Sequence, residues 1–454
     1  MAASIRQFYI ELYEEYLEEA SFLYEQRLSL FDDPEITWLD IGEFEERFEA
    51  HIDGLVVGED LALDVCKRRA MEGDFGELHA AMRVFCRQNQ PKTALEMLAD
   101  LDLDDEERVR AVADAFKHEL PDEWIEGCTG IINDGYLQFA TLFSTVFGYR
   151  RLQKLDLYKF LKKIPNESLP TVIWALGRLG DQNARDFLLD YLEHEDENVR
   201  GATALALLRL GEPQALFQSL QNIQNHSWAL IPLGLGGDSL VVTQLLELVK
   251  QKEFHKDALI ALGMLGDISA VPDLLTCLDH PERTESATLG LQLITGANLY
   301  EDVFIPEEID EQELFEEELK KYKETGEVPK NADGKPFGET IKRLSQNSED
   351  WQPWWSANSN GFKNGIRYRN GKPYSIATLI DNLVDEQTPH LIRTLANEEL
   401  VIRYGMPIPF ETDMTARQQQ QRLNEIAQWA NTNNNRFKDG EWYFAQRPCI
   451  DTNN

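Results

Sequence analysis

Positive charge is what this chain has least of. Its 44 lysines and arginines face 80 aspartates and glutamates, a formal charge of -36. So negative a surface repels phosphate backbones and anionic lipid, which excludes nucleic acid and membrane surfaces as expected partners. Cysteine is also sparse: Cys66, Cys86, Cys128, Cys277 and Cys449 are scattered, with no CxxC pair and no Cys/His ligand spacing. Reduced, mostly buried thiols are expected rather than a disulfide framework. No window holds 18 uninterrupted apolar residues, and Met1 to Gln7 runs into an acidic helix without a signal-peptide core. Neither a membrane span nor a secretion signal is therefore expected, and the chain reads as cytoplasmic. The phosphate-binding, dinucleotide, nucleophile-elbow and HExxH motifs are missing too, and the eight histidines show no ligand spacing. No catalytic residue, metal or cofactor is expected.

What is present is a helical repeat. Four segments end alike: Leu176-Gly177-Arg178-Leu179-Gly180-Asp181, Leu208-Arg209-Leu210-Gly211-Glu212, Gly234-Leu235-Gly236-Gly237-Asp238 and Gly263-Met264-Leu265-Gly266-Asp267. Gly180, Gly211, Gly237 and Gly266 stand 31, 26 and 29 residues apart. A second apolar helix follows each ending, as in Phe187-Leu188-Leu189 or Leu245-Leu246-Glu247-Leu248. Two helices per unit at this period predict an all-α fold, an α-solenoid. Each glycine suits a left-handed helix C-cap, and the acidic residue after it suits the start of the next helix. Small residues such as Gly177, Ala206, Ala261 and Gly263 would let neighbouring helices approach closely.

The rest of the chain extends or closes this array. Apolar and aromatic residues from Ile5 to Leu23 recur at helical spacing, opposite Glu11, Glu14, Glu15 and Glu18. Helices are expected near 42–52, 59–71, 75–88, 91–99, 105–118 and 136–147, with a turn at 127–135. Residues 1–168 thus read as an irregular helical region continuous with the solenoid, and 169–296 as the repeats. Residues 297–350 read as an acidic, partly mobile insertion, with Leu314, Phe315 and Leu319 anchoring a short helix. Residues 351–454 read as a C-terminal cap over the last repeat. It would be built on Trp351, Trp354 and Trp355, a small hairpin around Asn370-Gly371, and helices near 388–403 and 415–432.

The turn Asp196-Glu197-Asn198-Val199-Arg200 resembles the bacterial form of the HEAT repeat. The wider arrangement resembles a family of bacterial HEAT-repeat proteins of unassigned activity, often encoded beside type VI secretion genes. The likeness rests on Glu18-Glu19-Ala20-Ser21-Phe22-Leu23, Phe48-Glu49-Ala50-His51-Ile52-Asp53-Gly54-Leu55, the repeats, and Arg367-Tyr368-Arg369-Asn370-Gly371-Lys372-Pro373. It implies secretion-linked work, either loading an effector or neutralising one, and offers no catalytic residues.

The expected function is a non-catalytic scaffold that binds another protein with a basic surface. The alternative is an immunity protein occluding a basic toxin; a HEAT-like lyase is favoured less, because fold does not imply function. The expected contacts are polar positions on the second helix of each repeat: Asp186, Asp190, Glu193, Gln214, Gln218, Gln244, Glu247 and Asp273. In HEAT-like arrays those helices line the concave face. The partner's identity and the oligomeric state stay open.

Overall fold

The computed structural model describes residues 2–31, 33, 35–251, 256–307, 316–326, 328, 330 and 335–449. Twenty-two α-helices, ten short 3-10 helices and three two-stranded hairpins account for the regular structure of those residues. The expected anchors Leu314 and Phe315 lie outside the described residues.

The chain begins with α1 (Ala2–Leu30), which packs on α2 (Ile41–Val57), α3 (Glu59–Glu72) and α4 (Phe75–Arg87). Leu17, Ala20, Leu23 and Tyr24 of α1 are buried, whereas Ile5, Phe8 and Tyr9 are exposed. Its aromatic face is core only in the second half. Next come α5 (Pro91–Ala99), α6 (Glu106–Glu119), α7 (Ile125–Asn133) and α8 (Ala140–Arg150). The expected turn at 127–135 is mostly helix α7: Ile125, Cys128 and Ile132 are buried on one face and outweigh the glycines at 127 and 130.

The repeats follow as α9 (Leu169–Leu179) with α10 (Arg185–Leu189), and α11 (Glu197–Arg209) with α12 (Gln214–Asn222). Then come α13 (Leu230–Gly236) with α14 (Ser239–Val249), and α15 (Lys256–Leu265) with α16 (Val271–Cys277). A final first helix, α17 (Pro281–Thr295), completes the array. The first helices stack directly on one another from α8 through α9, α11, α13 and α15 to α17. Small residues make this stacking possible: a Cβ on Gly263 would lie 2.5 Å from the Cα of Gly290, and one on Gly177 2.7 Å from the Cα of Ala206. The acidic residues cap as expected. The carboxylates of Asp181, Glu212, Asp238 and Asp267 accept from the amides of Asn183, Gln214, Leu240 and Ser269 at 2.9 to 3.0 Å. The glycines differ: Gly180, Gly211 and Gly266 are left-handed, but Gly237 is extended, with φ of -69° and ψ of 176°.

Past α17 the chain forms a hairpin of β1 (Tyr300–Pro306) with β2 (Gly338–Leu344), with α18 (Glu316–Thr325) between them. The stretch expected only as an acidic insertion thus carries seven-residue strands. Trp351 on α19 (Ser348–Asn358) is buried beside Leu274 and Leu291 of the last repeat. Beyond it lie the β3 (Tyr368–Arg369) and β4 (Lys372–Pro373) hairpin, α20 (Ile376–Val384), α21 (His390–Tyr404), α22 (Ala416–Asn433), and the β5 (Tyr443–Phe444) and β6 (Arg447–Pro448) hairpin.

This C-terminal segment runs back along the solenoid as a strap over the C-terminal ends of the first helices. The amides of Asn370 and Gly371 donate to the carbonyls of Leu293 and Ile294 on α17, and Tyr368 to Gly266 after α15. Arg367 donates to the carbonyls of Met264 and Leu265 (2.7 and 2.8 Å). Arg403 donates to those of Gly234 and Gly237 (3.0 and 3.1 Å). Farther back the polarity reverses: Glu398 accepts from Arg178 and Arg209, each at 2.7 Å, and Glu411 from Arg151 at 2.6 Å. The strap ends on the N-terminal helices, where the carboxylate of Glu45 accepts from the amide of Ala416 at the start of α22. Arg27 and Lys117 hold Asp413 there.

Two outcomes test this architecture. Leu262 is fully buried, so Leu262→Asp places an unpaired charge in the array and should abolish the cooperative circular dichroism melt. A melt within a few degrees of wild type would contradict it. Glu398→Ala leaves Arg209 buried without its carboxylate and Arg178 with Glu411 alone. It should cost about 3–5 kcal/mol in denaturant unfolding, against a few tenths for the exposed Glu193→Ala.

Candidate functional site

The short second helices turn one face inward, burying Leu188 on α10, Ala215 and Ser219 on α12, Val241, Val242, Leu245, Leu248 and Val249 on α14, and Val271, Leu274 and Cys277 on α16. The intervening positions face outward. Asp186, Asp190, Glu193, Gln214, Gln244 and Glu247 are exposed, and Gln218 and Asp273 are half-buried. Asp273 sits 3.6 Å from Lys250. Six of the eight expected contact residues lie on the second helices themselves, and Asp190 and Glu193 lie on the 3-10 turn that continues α10, while the strap occupies the ends of the first helices. Three large apolar side chains stand out among them, one on each of three successive second helices: Phe187, Phe217 and Leu240, exposed by 45%, 54% and 56%. Helical periodicity places apolar residues on these helices but does not distinguish a covered position from an open one. Aromatic and aliphatic groups rimmed by acidic and amide side chains have the composition of a protein-docking face.

A second feature lies where the strap meets the N-terminal helices. A cavity of about 260 Å³ opens between α1, α2, α4, α6 and the side chains of His390, Asp413 and Thr415. Tyr24 stacks on His79, ring centroids 3.8 Å apart, and donates to Asp114 at 2.8 Å. Lys117 bridges Asp114 (2.8 Å) and Asp413 (3.1 Å), and Arg27 pairs with Glu45 (2.7 Å). With Nδ1 of His79 donating to the Ala111 carbonyl at 3.0 Å, its Nε2 is left as an unprotonated acceptor. Burial, reinforced by Arg83, pushes His79 down to about 3, and burial with Arg83 and Arg27 holds His118 well below its ordinary value. The Nδ1 of His118 has no hydrogen-bond partner among the described residues. Two neutral imidazoles beside closed ion pairs can seat a small polar group; none of them is poised as a nucleophile. Sequence spacing had no means of finding this cavity, since Arg27 and Asp413 are 386 residues apart.

Among the described residues no group of three His, Cys, Asp or Glu is placed to hold a metal ion, and no helix is long and apolar enough to cross a membrane.

With this geometry in view, comparison with known families covers part of the repeats. Residues 170–226 match the model of HEAT repeats. Residues 256–280 match that of the PBS lyase HEAT-like repeat. The repeat stretch is HEAT-like. No curated protein matches the chain. The two matches fall between the start of α9 and the start of α17, so they bear on the scaffold and do not extend to the N-terminal helices, the hairpin or the strap.

The buried imidazoles have a measurable consequence. Folded His79 stays neutral while the unfolded chain protonates it near its ordinary value of 6.5. Its stabilisation is therefore complete above pH 6.5 and is lost as pH falls toward 3. Between pH 7 and 5 the loss should be about 2 kcal/mol for this one group. His79→Gln keeps a donor for the Ala111 carbonyl, and its unfolding free energy should fall correspondingly less over that interval. Equal slopes in the two proteins would remove His79 as the cause.

Proposed function

We propose that this chain is a non-catalytic scaffold that binds a protein with a basic surface on its second-helix layer. The observation that carries the reading is the row of exposed Phe187, Phe217 and Leu240 set among Asp186, Asp190 and Glu247. Apolar side chains of this size supply affinity when covered, and the surrounding carboxylates steer a cationic partner. The strap supports the same reading, because it occupies the first-helix ends with the chain's own residues and leaves the other layer open. The resemblance to proteins encoded beside type VI secretion genes supports an adaptor role there, with an effector or a spike component as the partner. The charge of -36 also supports the alternative, an immunity protein whose acidic layer occludes a basic toxin. Expression within the cytoplasm suits either role.

Pull-down with the products of neighbouring genes separates the two. An adaptor captures an effector together with a spike component. An immunity protein captures one toxin domain, tightly and salt-sensitively, and protects cells from it. In either case, reversing Asp186, Asp190 and Glu247 to lysine should abolish capture while the thermal melt stays unchanged. Undiminished capture by that triple variant would remove the second-helix layer from the proposal.

A further inference from the structure

The β1–β2 hairpin presents an unpaired strand edge whose register can be read from its flanking hydrogen bonds. Strand partners run from Tyr300 opposite Leu344 to Pro306 opposite Gly338. The amide of Ser345 donates to the Leu299 carbonyl at 2.8 Å, and that of Glu307 to the Phe337 carbonyl at 3.0 Å. Odd-numbered residues of β1 therefore spend their backbone groups on β2, and the amides of Tyr300, Asp302 and Phe304 point away from it. Among the described residues no third strand pairs with either edge. One face of the hairpin turns inward through Val303 and Ile341, and the other carries Tyr300 and Phe304, exposed by 38% and 44%.

A seven-residue edge with exposed aromatics is a template for strand pairing, which natural sheets blunt with proline, lysine or a bulge. Here the only proline of β1 is Pro306, at its far end. The outward residues of the two edges differ in sign, Lys342 on β2 and Asp302 on β1, while Glu301 is held within the hairpin by Arg343 at 2.9 Å. The sequence from 301 to 318 holds ten acidic residues and no basic one. We propose that the β1 edge accepts an extended, basic segment of a partner protein as a third strand. Main-chain hydrogen bonds to Tyr300, Asp302 and Phe304 would provide the pairing, and the carboxylates would choose the sign of the incoming strand. This surface is separate from the second-helix layer and stands or falls independently of it.

The probe is a fluorescent ten-residue peptide of alternating lysine and valine, titrated into the full-length protein at low salt and read by anisotropy. A peptide of alternating glutamate and valine is the control. The lysine peptide should bind and the glutamate peptide should not. Asp302→Pro deletes one outward amide without touching a β1–β2 bond, and should weaken binding about tenfold. Asp302→Lys, which keeps the amide, should weaken it through charge and guards against misfolding of the proline variant. The triple reversal of Asp186, Asp190 and Glu247 should leave this binding unchanged. Failure of the lysine peptide to bind, equal binding of both peptides, or indifference to both Asp302 variants would overturn the proposal. Loss of binding in the triple variant would also do so, by moving the contact to the helices.

Discussion

Parallel stacking of the first helices creates the electrostatic problem that the rest of this protein answers. Each of α8, α9, α11, α13, α15 and α17 leaves its last carbonyls unpaired at one end, where partial negative charge accumulates. Along the same edge the chain places six arginines, Arg151, Arg178, Arg209, Arg367, Arg369 and Arg403, against three glutamates, Glu398, Glu399 and Glu411. The surplus of cations is compensated by carbonyls of Gly148, Gly177, Gly234, Gly237, Met264 and Leu265. Arg367 also lies over the Tyr374 ring, 3.3 Å from its centroid, and burial beside Arg403 brings it down to about 10, so it stays charged at neutral pH. Burial raises Glu398 and Glu411, but the surrounding arginines outweigh it and hold both below the usual carboxylate range. Buried ions are costly unless each has a partner, which ties the strap and the repeats into one register.

The division of labour along this edge follows from the repeats themselves. Two residues before the terminal glycine, the first two repeats carry Arg178 and Arg209, and the strap answers with Glu398. In the next two repeats that position is Leu235 or Met264, and the strap supplies Arg403 and Arg367 instead. A signal for this pairing was present in the sequence: arginine in two units and not in the others, with an arginine-rich Arg367 to Arg369 segment in a chain so poor in positive charge. It was not legible as pairing because the partners are about two hundred residues apart and no local period connects them. The repeat was legible because its caps are local; each acidic residue meets an amide two residues on. Glycine shows the limit of local reading. Gly266 and Gly296 do end helices, but a Cβ on either would lie 2.1 or 2.3 Å from the carbonyl oxygen of Tyr368 or Asn370. The strap's backbone, as much as the cap, requires them. Outward polar positions on the second helices were likewise readable from helical spacing, whereas exposure of Phe187 and Phe217 depends on what fails to cover them.

A solenoid held only by contacts between neighbours unfolds as a series of coupled units, each able to fray from an end. The strap changes that coupling. It bonds to α17, α15 and α13, pairs with side chains of α9 and α11, and finishes on Arg27, Glu45 and Lys117 of the N-terminal helices. Fraying the last repeat would strip Arg367 and Asn370 of their carbonyl partners, and fraying the N-terminal helices would strip Asp413. Both ends of the array thus share one continuous element, and losing either exposes buried charge rather than only apolar surface. A scaffold built in this way presents its second helices at fixed spacing. On the proposed reading, a partner reaching across α10, α12 and α14 at once would meet a surface already in its bound arrangement, with less ordering to be done on association.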